Sequence, residues 1–114
     1  MIRSIPLVIL ASCLASADVW TDSFSIEKVS PPPGVDPQVG GIATTPSGKL
    51  AACFHRGEVF IYSPKADSWK QFAAGLHEPL GIVAESDSSF LVMQRPELTR
   101  IKDTNGDGVA DLYE

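Results

Sequence analysis

An all-β protein built from short strands that recur with a period of about 40 residues is what this 114-residue sequence predicts. Three observations lead there. Strand-like runs separated by Gly, Pro, Ser and Asp turns follow one another from Val39 onward. No window shows the i, i+3, i+4, i+7 apolar recurrence of an amphipathic helix. The order of strands and turns then starts again: Gly41-Ile42 returns as Gly81-Ile82 and Arg56-x-Glu58 as Arg95-x-Glu97, at spacings of 40 and 39. Four short strands in about 40 residues is the length of one β-propeller blade. The expected architecture is therefore a partial β-propeller over residues 39–114, with about one and three-quarter four-stranded blades, after a signal peptide.

The chain opens with MIRSIPLVILASCLASA. Arg3 gives a basic start, Ile5 to Leu14 an apolar run, and Ala15-Ser16-Ala17 a small-residue cleavage site before Asp18, which together make an export signal over residues 1–17. The run is too short for a transmembrane span, which takes roughly 20 residues. A buried N-terminal strand competes with this reading, but Arg3 ahead and the small residues behind disfavour it. Leu10-Ala11-Ser12-Cys13 also fits a bacterial lipoprotein box, with a lipid anchor at Cys13; only twelve residues would precede it, so it ranks second. Both export readings put the mature chain in the periplasm or outside the cell, membrane-associated only through such an anchor.

Residues 18–38 form an extended, Pro-rich arm, because Pro31-Pro32-Pro33 forbids a helix and cannot donate to a central sheet. Strands are expected at 41–45, 49–54 and 58–62, and after the Ser63-Pro64 and Asp67-Ser68 turns at 69–72, where the aromatics miss strict period two. The second copy has strands at 80–85, 90–94 and 98–102, with Ser86-Asp87-Ser88 as a turn. Once residues 1–17 leave, Cys53 stands alone and no intrachain disulfide framework exists. The net charge of −5, without a run of Lys or Arg, excludes nucleic acid as a natural partner.

DTNGDGVADLYE ends the sequence, and its oxygen donors follow EF-hand spacing. Asp103, Asn105, Asp107, Asp111 and Glu114 take positions 1, 3, 5, 9 and 12, Gly108 takes position 6, and Val109 offers its carbonyl at position 7. Calcium prefers six to eight oxygens at flexible distances, and alternating side chains about a Gly turn deliver them from one segment. The strand ahead of it makes this a calcium loop after a strand, not one between helices; the competing reading is a solvated acidic turn. Glu114 is the least constrained donor, being terminal.

Other residues point less clearly to chemistry. Cys53 and His55 would share a strand face, with His77 near the next repeat, yet neither Cys-x-x-Cys nor His-Glu-x-x-His spacing occurs. Cys53 reads as core and His55 as a residue near a loop. Trp20, Phe54, Trp69 and Phe72 are scattered and read as packing. Arg95, with Gln94 and Glu97, suits either a ligand contact or a structural salt link. No phosphate loop, serine elbow or acid pair is present, so no catalytic residue is assigned.

The run GLHEPLGIVAESDSSFLVMQRPELTRIKDTNGDGVAD carries a family resemblance. Pro79-Leu80-Gly81, Gln94-Arg95-Pro96-Glu97-Leu98, Arg100 and Asp103 to Asp111 resemble the blade motif of the pyrroloquinoline-quinone-dependent glucose and sorbosone dehydrogenase-like propellers. They are more closely similar to the first blades of large exported bacterial propeller proteins described as membrane-bound dehydrogenase domains. PPPGVDPQVGGIATTPSGKL is similar to that group's first strand, so the resemblance covers nearly all of the mature chain but only the start of the family's architecture. It implies further blades and a quinone held over the propeller axis by several of them, neither complete in this chain. Ser86-Asp87-Ser88-Ser89 departs from the family's Asp-Gly turn, and the haem-binding Cys-x-x-Cys-His of some members is missing. The expected function is an N-terminal, inactive portion of such a dehydrogenase, whose open β edges would pair with further blades or a partner chain. The alternatives are an independent, calcium-dependent extracytoplasmic binding module, or a degenerate product.

Overall fold

A computed structural model describes residues 23–114. The export signal over 1–17, the Cys13 anchor and Trp20 lie outside the described residues. Eight strands follow in chain order: β1 (Val39–Thr44), β2 (Leu50–Phe54), β3 (Val59–Ser63), β4 (Ser68–Ala73), β5 (Gly81–Ser86), β6 (Ser89–Met93), β7 (Leu98–Lys102) and β8 (Leu112–Tyr113). They form two four-stranded antiparallel sheets, β1-β2-β3-β4 and β5-β6-β7-β8, each a simple meander. Among the described residues, no helix is long and apolar enough to cross a membrane.

The expected second unit, three strands short of an outer one, is corrected here: the sheet closes with β8. Two residues are too few for a period to be visible in sequence, so partners decide this strand. Ile101 and Lys102 pair with Tyr113 and Leu112, and Arg100 and Glu114 exchange both main-chain hydrogen bonds.

The register sorts each sheet into two faces. In the first sheet, Gly41, Cys53 and Val59 lie in one row and Ala43, Ala51 and Ile61 in the next. In the second sheet, Ile82, Val92 and Thr99 form one row and Ala84, Phe90 and Ile101 another. These two faces meet, and Phe72 against Phe90, with ring centroids 5.1 Å apart and nearly perpendicular, crosses between the sheets. The core is thus an inter-sheet layer of small residues on one side and larger ones on the other, with Leu76 and Ala110 closing its ends. The small residues allow close approach. A Cβ on Gly40 would collide with the Pro79 carbonyl, and one on Gly41 would lie 3.0 Å from the Gly81 Cα, so β1 and β5 touch backbone to backbone.

The irregular spacing of aromatics in β4 has a structural cause. A bulge pairs Val59 with Ala73 but Phe60 with Gln71, leaving Phe72 as the extra residue, and Phe72 and Ala73 are both buried. Trp69 goes to the opposite face. There it joins Tyr62 and Phe54 at centroid distances of 5.1 and 6.4 Å, and Phe60 lies 5.8 Å from Phe54. The arm crosses this outer face: Trp69 Nε1 donates to the Ser30 carbonyl at 2.8 Å, Pro32 is buried, and His55 N–H donates to the Gln38 carbonyl at 2.9 Å.

Candidate functional site

Two clusters of polar side chains lie at opposite ends of the sheets. The first is the loop from Asp103 to Asp111, between β7 and β8. Asp103 is 8 % exposed and accepts the Gly106 N–H at 2.6 Å with one oxygen and the Gly108 N–H at 2.8 Å with the other. Asn105 Oδ1 accepts the Asp107 N–H, and Asp107 Oδ1 accepts the Val109 N–H. Gly106 and Gly108 have φ of 81° and 83°, the left-handed region that Gly enters without strain. Each acidic or amide side chain thus folds the loop over the backbone just ahead of it, as alternate placement in the sequence suggests.

The loop is also clamped to the first sheet. Lys70 on β4 donates to the Asp107 carbonyl, the Ala110 N–H donates to the Phe72 carbonyl at 2.7 Å, and the Tyr113 hydroxyl donates to the Ala74 carbonyl at 3.3 Å. A side chain at Gly108 would strike the Lys70 ammonium. The edge of β4, expected to be open, is therefore partly covered by this loop.

As a donor set for calcium, the loop has the required chemistry, all oxygen and mostly carboxylate. Asp103, Asn105, Asp107 and the Val109 carbonyl lie along its curl. The remaining two named residues have other partners. Asp111 accepts the Thr104 N–H and hydroxyl at 2.7 and 2.6 Å, and its carboxyl is held below its ordinary value chiefly by that hydroxyl. Glu114 meets Arg100 Nη1 at 3.0 Å, and Arg100 also meets Glu85 at 2.8 Å. A position-12 ligand would have to leave that pairing. Among the described residues, no three His, Cys, Asp or Glu side chains converge closely enough to cage a metal.

At the other end, the turns after β2 and β6 and the connection from β4 to β5 come together. Arg95 Nε lies 3.0 Å from one Glu78 oxygen, and His55 Nε2 lies 3.7 Å from the other. Glu78 has φ of 46°, an uncommon conformation for a non-glycine residue. Gln94 accepts the His77 N–H and donates to the Thr99 hydroxyl at 2.7 Å, and that hydroxyl donates to Glu97 at 3.1 Å. The salt link expected for Arg95 is thus present, from the β6–β7 turn to the β4–β5 connection, and the Glu78 contact with His55 carries it on to the first repeat. Glu78 was not singled out in the sequence; the only sign was its position before Pro79-Leu80-Gly81.

Cys53 and His55 do not share a face, because β2 ends at Phe54 and His55 turns outward. Cys53 is fully buried against the second sheet, and burial pushes its thiol up, which disfavours the nucleophilic thiolate. His77 makes its hydrogen bonds through its main chain.

Comparison with known proteins found no matching family model and no matching curated protein.

Proposed function

We propose that this chain forms the first blades of an exported β-propeller of the quinone-dependent sugar or alcohol dehydrogenase-like kind, inactive by itself, with a calcium loop at 103–114. The observation that carries this reading is the repetition of register. Rows Gly41-Cys53-Val59 and Gly81-Met93-Leu98 occupy the same places in their sheets, at offsets of 40, 40 and 39. Successive four-stranded meanders meeting face to face, first strand against first strand, are compatible with adjacent propeller blades and support this reading. The Gln94 to Leu98 and Asp103 to Asp111 stretches add the family's sequence pattern.

A quinone, when bound, would accept the electrons of the oxidised alcohol, and residues from several blades would be needed to hold it. Two sheets cannot surround an axis. His55, Glu78 and Arg95 are the polar groups this chain would contribute from the end where the β2–β3, β4–β5 and β6–β7 connections gather. Arg95 is the most exposed of the three and would face an anionic group, while Glu78 orients it. Reconstitution with pyrroloquinoline quinone, a sugar panel and an artificial electron acceptor should give no turnover from the chain alone. Measurable sugar oxidation would refute the incomplete-site reading.

For calcium, Asp103, Asn105, Asp107 and the Val109 carbonyl would bind first, with Asp111 and Glu114 recruited from Thr104 and Arg100. Calorimetric titration of the mature chain should give heat that Asp107→Ala abolishes. Equal, negligible heats for both chains would remove the ion. Mass spectrometry of the exported product tests localisation: a start at Asp18 supports signal cleavage, and a lipid-modified Cys13 supports the anchor instead.

An independent extracytoplasmic binding module is the second reading. It is favoured by the completeness of the inter-sheet core, which needs no further chain to bury Phe72, Phe90 and Ile101.

A further inference from the structure

The outer face of the second sheet is apolar at its Gly81 end and charged at the other, where Arg100 pairs with Glu85 and Glu114, and the apolar end has no covering among the described residues. Its rows are Gly81-Met93-Leu98 and Val83-Leu91-Arg100. Val83, Met93 and Leu98 are 61 %, 50 % and 56 % exposed. The equivalent rows of the first sheet, Gly41-Cys53-Val59 and Ala43-Ala51-Ile61, are the face that the second sheet covers. One molecule thus shows what kind of surface seats on such a face: rows Ile82-Val92-Thr99 and Ala84-Phe90-Ile101. At the same offsets, the first sheet carries Ile42-Ala52-Phe60 and Thr44-Leu50-Tyr62 on its own outer face.

Gly81 narrows the occupant further. A glycine inside a strand weakens it unless another backbone comes close. Gly41, its counterpart, is needed because β5 lies against it. Among the described residues nothing requires Gly81, since a Cβ there would meet only the Met93 Cβ, at 3.8 Å. Its open side is shaped for a first strand of the β1 type.

We propose that a second copy of this chain docks head to tail, with β1 and the outer face of its first sheet on Gly81, Val83 and Leu91, and that the Pro-rich arm is the plug it must displace. The arm occupies that first-sheet face in the monomer, but loosely. A space of about 260 Å³ remains between Val29, Pro31 and Pro37 and the sheet, and Ile42 beneath it is still 63 % exposed. Leu80 stands where Gly40 has its counterpart, so the docked strand is centred on Gly81 to Val83. Such an interface uses two different faces and repeats into a closed ring or an open chain. The proposal rests on the sheet repeat and not on the dehydrogenase-like reading, under which a further blade would take this same face, so a negative quinone assay leaves it untouched while a chain that stays monomeric overturns it.

Sedimentation velocity of the full mature chain over a wide concentration range is the test. The mean mass should rise with concentration past that of a dimer or to a discrete ring. Trp69→Phe, which removes the hydrogen bond to Ser30, should lower the midpoint concentration at least threefold. Gly81→Val should return the chain to monomer, with unchanged circular dichroism and unfolding midpoint. That outcome separates docking from general stickiness, because the substitution adds apolar surface. Val83→Lys gives a second reading should Gly81→Val fold poorly. A monomer at all concentrations, or association untouched by Gly81→Val and Val83→Lys, or by Trp69→Phe, would overturn the proposal.

Discussion

Asp103 accepts two main-chain N–H groups of its own loop while largely out of water, so its carboxylate has structural work that needs no ion. Asp103→Ala would leave the Gly106 and Gly108 donors without their partner, at a cost of about 1–2 kcal/mol. We expect that loss in urea denaturation with chelator present; Asp107→Ala, whose partner is the single exposed Val109 N–H, should cost less. Equal stability of Asp103→Ala and the parent would mean that the loop does not depend on these bonds. Gly57 is similarly constrained, with φ of 103° and the Leu76 carbonyl where a Cβ would stand. Gly57→Ala combines backbone strain with a collision, and should cost more than about 1 kcal/mol. Both glycine-dependent turns were visible in the sequence as punctuation. The collisions were not, because each comes from a residue on another element.

Among the elements, the turns joining strands carry links between the sheets. Asp87, in the β5–β6 turn, accepts the Ser47 N–H of the β1–β2 turn at 3.1 Å, and its carboxyl is held below the ordinary range chiefly by the Thr45 hydroxyl. Glu85 is lowered too, first by Arg100 and then by Ser89, which joins β5, β6 and β7 on one face. Asp111 is the third lowered carboxyl, through Thr104. Each has a folded pKa below its unfolded value of about 4. Its stabilising contribution is present above that unfolded value and lost as pH falls through the folded one. We therefore expect the urea midpoint to fall below about pH 4, and Asp87→Asn to lower it at pH 7 while flattening the acid loss. An acid profile identical to the parent's would exclude Asp87 as a contributor.

For the molecule as a whole, one apolar layer serves both sheets: the second sheet has its core there, and the first adds only the aromatic cluster of Phe54, Tyr62 and Trp69 under the arm. Unfolding should be a single cooperative transition by fluorescence and circular dichroism alike, and two separated transitions would show independent sheets. Phe90, buried completely against Phe72, is the central test: Phe90→Ala should cost about 3–5 kcal/mol. In a unit this small, a loss of that size approaches the entire stability expected. Near-complete loss of the folded state in that variant, with Ile26→Ala on the exposed arm close to neutral, would match this distribution of burial.

Strand positions from β1 to β7, the turns between them and the repeat were legible in the sequence, because alternation, punctuation and spacing are properties of neighbours along the chain. The curl of the Asp103 to Asp111 loop was legible for the same reason, each side chain bonding a backbone group a few residues on. Tertiary structure decided the rest. β8 exists because β7 offers it partners; Glu114 faces Arg100 because β8 carries it there; and Glu78 gathers His55 and Arg95 from turns about twenty residues away on either side. The two sheet faces, one under the arm and one bare, have similar apolar alternation in sequence. Which of them is covered depends on what the fold brings above it.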